Sequence, residues 1–113
     1  MDRLINIIID ELQLLSTDEK RNILPRFFKT GKGEYGEGDK FLGVSVPDVR
    51  KVAKNHKNAT INELTEMMQS EWHEVRLCSL LIMVEQFKKT DDEGRKRIVD
   101  FYLSVTNRIN NWD

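Results

Sequence analysis

The sequence predicts an all-α fold of about six helices, arranged as a short stack of helical hairpins. Three observations carry this. Apolar residues recur at three- and four-residue steps along most of the 113 positions, which gathers them on single helical faces. Helix-starting signals separate those stretches, and no segment alternates as a strand would. Only two prolines are present, and five of the six glycines fall between Gly31 and Gly43, so helix breakers concentrate in one place.

In residues 2–15, Leu4, Ile5, Ile8, Leu12 and Leu15 form one stripe, and Ser16 or Thr17 caps the helix that follows. Residues 18–29 continue as a helix that Pro25 kinks or restarts. Residues 30–44 form the one long loop, a feature that often carries function in a compact domain. Ser45 as N-cap, with Pro47 near the first helical position, starts a helix to about Lys57. Thr60 and Glu63 form a capping box for another to about Ser70. Residues 72–89 carry Val75, Leu77, Leu80, Leu81, Ile82, Met83, Val84 and Phe87, apolar almost all round, as in a helix sandwiched between layers. The last helix, about 91–106, opens on Asp91, Asp92 and Glu93, which suit the positive end of its dipole, and shows Ile98, Phe101, Tyr102 and Val105 on one face.

Residues 46–70 and 72–106 thus read as two consecutive antiparallel pairs, with second helices capped near Thr60 and Thr90. No linker composition divides the chain, so residues 1–113 are read as a single helical-repeat domain. Ile109, Asn110, Asn111, Trp112 and Asp113 read as the entry to a further helix. The chain is therefore expected to be the N-terminal part of something longer, with a C-terminal end exposed to self-association.

Hydrophobic residues at 39% and charged residues at 33% are globular proportions and exclude a disordered or membrane class. Leu80–Val84, the longest apolar run, is far too short to cross a bilayer, and Met1, Asp2 and Arg3 lead into an amphipathic helix rather than a signal peptide. A cytoplasmic protein is expected. Cys78, the single cysteine, has no internal partner and sits among Leu77, Ser79, Leu80 and Leu81, the setting of a small buried side chain. With 18 Lys plus Arg against 19 Asp plus Glu, the net charge of −1 makes no general case for nucleic acid. Any basic surface must come from local segregation.

Several chemical motifs fail on context. Gly31, Lys32, Gly33, Glu34, Tyr35 and Gly36 spell a dinucleotide-type glycine string, but it follows a helix and belongs to no strand–helix alternation, and no Gly-Lys-Ser or Gly-Lys-Thr closes it as a P-loop. His73 and Glu74 begin a zincin-like signature in which Leu77 stands where the second histidine is needed. Glu34, Glu37 and Asp39 lack the spacing of a calcium loop. The reading calls for no metal and no cofactor.

One charge pattern remains. Arg50, Lys54 and Lys57 are spaced to stack on one helix face with Lys51 beside them, while Val49, Val52 and Ala53 turn the other way. With Lys40 they make five basic residues between 40 and 57 against the single acid Asp48. A phosphate backbone is bound by such a ridge through counterion release. On these residues alone an ordinary solvated face explains the pattern at least as well. Glu74 and Arg76 likewise fit a structural task, a cap or an ion pair between neighbouring repeats.

Three blocks in order, Phe41-Leu42-Gly43-Val44 with Val46, Pro47 and Arg50, then His73-Glu74-Val75-Arg76, then Asn111-Trp112-Asp113, resemble the bacterial DNA alkylation repair family, the AlkD-like DNA glycosylases. The resemblance covers essentially the whole chain. It implies a right-handed α-solenoid of HEAT-like repeats whose basic concave groove grips duplex DNA. It also implies excision of purines alkylated at N3 or N7, with no pocket for a fully flipped base. Such a purine is cationic and leaves readily, so stabilising the oxocarbenium-like sugar and guiding a water are the main chemical tasks. In the family a Trp-Asp-x-Val-Asp element does this: the tryptophan packs on the lesion's deoxyribose and the second aspartate is the catalytic carboxylate. Trp112 matches the tryptophan and Asp113 the first, structural aspartate. The second would stand three positions further on, so the 113-residue chain is expected to be inactive as a glycosylase. By the same resemblance Phe41, Gly43, Pro47, Glu74 and Arg76 belong to the motif, and Lys40, Arg50, Lys51, Lys54 and Lys57 to the DNA-binding ridge. A non-catalytic DNA-binding relative and a helical-repeat scaffold for protein partners are the alternatives, the latter supported by the near-neutral charge.

Overall fold

The computed structural model describes residues 3–27 and 40–105. Among them lie six α-helices and no strand: α1 Leu4–Leu15, α2 Asp18–Phe27, α3 Val46–Asn55, α4 Ile61–Met68, α5 His73–Lys89 and α6 Asp92–Val105. The all-α class is as the periodicity predicts. The Gly31–Gly36 string, Glu34, Glu37, Asp39 and the terminal Ile109–Asp113 stretch, with Trp112 and Asp113, lie outside the described residues.

α1 buries Ile5, Ile8 and Leu12, with Leu4 packed at the core's edge. Leu15, expected on the same stripe, is more than a third exposed at the helix end. The choice between Ser16 and Thr17 is resolved by geometry. Thr17 Oγ1 accepts from Lys20 N at 3.2 Å and so caps α2, whereas Ser16 donates its hydroxyl to Gln13 O of α1 at 2.8 Å. α2 runs through Pro25 to Phe27 without restarting.

α3 starts at Ser45 with Pro47 in its first turn, where a missing N–H costs nothing, and buries Val49, Val52 and Ala53. The Ser45 hydroxyl makes no capping hydrogen bond. Thr60 and Glu63 form the expected reciprocal box: Glu63 N donates to Thr60 Oγ1 at 3.2 Å and Thr60 N to Glu63 Oε1 at 2.8 Å. The box is worth roughly 1 kcal/mol to α4. At α6 the capping oxygen belongs to Asp91, whose Oδ1 accepts from Gly94 N at 2.8 Å, one residue beyond Thr90.

α5 is the central element and packs on α1, α3, α4 and α6, most extensively on α3. Its first half, from His73 to Ser79, is buried on every side, the polar side chains of His73, Glu74, Arg76 and Ser79 included. Its second half is covered on one side only. There Val84 and Phe87 meet Ile98, Val99 and Tyr102 of α6 across an open apolar groove of about 340 Å³. Ile98, Phe101 and Val105 pack toward the core, whereas Tyr102 is exposed. Cys78 is fully buried at the middle of α5; burial, with a smaller contribution from the charge of Glu11, pushes its thiol up to about 12.

Candidate nucleic-acid interface

The interface candidate stands on a buried junction made by residues 40–44. Backbone amides in an irregular segment have no helical partner and must find one when buried. Here Glu74, 1% exposed at the start of α5, supplies both carboxylate oxygens. Leu42 N donates to Oε1 at 2.9 Å, and Gly43 N and Val44 N donate to Oε2 at 2.8 and 3.1 Å. The reverse strap is His73 N donating to Lys40 O at 2.8 Å, which satisfies an orphan amide of the α5 N-terminus. Phe41 stacks on the His73 ring at 4.6 Å.

The junction's other side is clamped by the α1–α2 corner. Thr17 N donates to Gly43 O at 3.0 Å, and Arg21 Nε donates to Leu42 O at 3.1 Å while its guanidinium also reaches Asp18 and, at 3.0 Å, Ser16. Gly43 has φ +91°, and a Cβ there would lie 2.8 Å from Thr17 O and 2.9 Å from Arg21 N. Both the conformation and the space demand glycine. Arg76, buried beside Glu74, donates from Nη1 to Ser70 O at 2.8 Å, tying α5 to the chain leaving α4. Glu74 thus neither caps a helix nor enters an ion pair among the described residues: its carboxylate gathers three loop amides some thirty residues earlier in the sequence. Phe41, Gly43, Pro47 and Glu74 therefore converge on the entry to α3, while Arg76 ties α5 to the chain leaving α4.

That entry fixes the direction of α3, whose outward face carries Arg50, Lys51, Lys54 and, just past the C-cap His56, Lys57, all exposed. Among the described residues neither Arg50 nor Lys54 enters an ion pair. Lys51 Nζ lies 3.8 Å from Asp48, which Lys20 of α2 approaches at 3.9 Å. Lys20 is thus a cation of this surface that the spacing within α3 did not reveal. Lys40 lies 3.3 Å from Glu71. These are surface pairs worth at most about 1 kcal/mol, so a phosphate oxygen can compete for each of the three lysines. The back of α3 is held by His56, whose Nε2 is 2.5 Å from Glu11 Oε2 of α1.

A family model described as DNA alkylation repair enzyme matches residues 8–113. No curated protein and no solved structure gives a match.

Proposed function

This chain belongs to the DNA alkylation repair enzyme family, and from that premise we propose that it binds duplex DNA through the cationic outer face of α3. The observation that carries the reading is Arg50 and Lys54 side by side, exposed, and in no ion pair among the described residues, on a helix whose entry is pinned by Glu74. Charges without local partners are free to release phosphate counterions, whereas those held by carboxylates must first exchange them. Lys51, Lys57, Lys40 and Lys20 extend the same surface.

In this reading the α3–α4 and α5–α6 pairs are repeats of a right-handed HEAT-like solenoid, a proposal supported by the packing of α3 against α5, the first helix of each pair. The proposed substrate is duplex DNA carrying a purine alkylated at N3 or N7, and the proposed chemistry is hydrolysis of its glycosidic bond. Trp112 is the residue proposed to face the lesion's sugar, where an electron-rich ring favours a developing cation. Asp113 is proposed as the structural aspartate that follows it. The net charge of −1 favours one other reading, a scaffold for protein partners. Titrating the chain with a short duplex, with and without methylated purines, at several salt concentrations separates the two. A steep fall in affinity with salt supports the proposal; affinity indifferent to salt refutes it.

A further inference from the structure

Asp48 is the one acid in the cationic stretch from Lys40 to Lys57, and it stands between two helices. Its Oδ1 lies 3.8 Å from Lys51 Nζ on α3 and its Oδ2 3.9 Å from Lys20 Nζ on α2, so each carboxylate oxygen faces a lysine of a different helix. The meeting is built into the backbone. Thr17 Oγ1 accepts from Lys20 N at 3.2 Å, Thr17 N donates to Gly43 O at 3.0 Å, and Arg21 Nε donates to Leu42 O at 3.1 Å, which fixes the start of α2 against the entry to α3. The Asp48 side chain is 24% exposed against 76% for Lys51, and so is the more confined of the two.

A carboxylate in the first turn of a helix has an ordinary explanation in its attraction to the positive end of the dipole. That attraction does not involve a lysine from α2. Both Asp48 separations are longer than a hydrogen bond, so the pairs are held by charge and no directed bond has to break to open them. Lys20 and Lys51 set against Asp48 leave one net positive charge; without the carboxylate they would leave two. A phosphate arriving at the α2–α3 junction therefore competes with a carboxylate already facing both lysines. At Arg50 and Lys54 it meets no such rival among the described residues.

We propose that Asp48 is a positioning residue of the DNA-binding surface: an internal counter-charge that ties Lys20 to Lys51, restrains the hold of the α2–α3 junction on a phosphate backbone, and leaves Arg50 and Lys54 to register the strand. The identity of the duplex rests on the functional reading above; the competition rests on the two ion pairs. Its signature is a gain on removal. Asp48→Asn keeps the size of the side chain and frees both lysines, so duplex affinity is expected to rise about 3–10-fold at low salt, the worth of two exposed pairs. The slope of log affinity against log salt should steepen by up to about 0.9, as one more phosphate is neutralised. In a Lys20→Gln background the same substitution should lose about half of that gain on a logarithmic scale, because one of the two released lysines is gone.

The experiment titrates a short duplex, and in parallel inorganic polyphosphate, into the whole chain, into Asp48→Asn with and without Lys20→Gln, and into Asp100→Asn on α6, an exposed acid whose removal changes the net charge equally. A gain at Asp48 that exceeds the gain at Asp100 and shrinks without Lys20 supports the proposal. A residue that only steadies the helix dipole would lower the melting temperature on substitution and bring no gain in affinity. That result overturns the proposal, as do equal gains at the two acids or a gain indifferent to Lys20. If the duplex fails to bind the unaltered chain, the DNA reading falls, and the polyphosphate series decides the role of Asp48 by the same outcomes.

Discussion

Replacing Glu74 with glutamine isolates the buried carboxylate on which the entry to α3 depends. The carboxylate accepts three amides, two at Oε2 and one at Oε1. A glutamine oxygen placed at the Oε2 position keeps Gly43 N and Val44 N as weaker neutral bonds and turns its amino group toward Leu42 N, donor against donor. Losing one charge-assisted bond, weakening two others and stranding a buried N–H comes to about 2–4 kcal/mol. Glu74→Ala would strand all three amides and leave a void, a loss on the order of the whole stability of a small domain. Glutamine is therefore the informative variant. With a urea slope of roughly 1–1.5 kcal/mol/M for a chain of this size, its midpoint should fall by about 2 M. Hydrogen exchange should accelerate at Leu42, Gly43 and Val44 in particular. A midpoint shift under about 0.5 M, with those amides still protected, would refute the cradle.

Three further outcomes are expected. Gly43→Ala should cost about 2–4 kcal/mol by thermal or urea unfolding, because strain at φ +91° adds to a Cβ pressed on two backbone atoms; a stabilised variant would contradict the close approach. Cys78 should stay inert to a thiol reagent at pH 8 in the native protein. Because the folded thiol keeps its proton up to about 12 while the unfolded one loses it near its ordinary value of 9.0, stability should fall as pH rises through that window, and Cys78→Ala should flatten the fall. Self-association through the apolar groove between α5 and α6, where Val84, Phe87, Val99 and Tyr102 leave apolar surface exposed, should show as concentration-dependent sedimentation. A single monomeric species at all concentrations would exclude it.

What the sequence disclosed and what it hid divide along separation in the chain. The Thr60–Glu63 box and the charged outer face of α3 are local patterns, read directly from periodicity and spacing. Glu74 read only as a cap or an ion-pair partner, because its three amides lie 30–32 residues away and a carboxylate's partners leave no periodic trace. Gly43 looked like one of several loop glycines; its necessity comes from Thr17 and Arg21, more than twenty residues earlier. Lys20 joins the basic surface from another helix, so no count within residues 40–57 could include it. Val84 and Phe87 were read as buried because their helix is apolar all round, yet α6 covers only part of that side.

The most direct test of the account reverses charge at two places on the surface. Arg50→Glu/Lys54→Glu on α3 is compared with Lys96→Glu/Arg97→Glu on α6, which changes the net charge by the same amount. Binding of a short duplex is measured for each across a salt series. The account predicts that the α3 pair lowers the log-log salt slope by about 1.8 while the α6 pair leaves it within a few tenths of the unaltered chain. Equal effects from the two pairs, or no effect from the α3 pair, would contradict it.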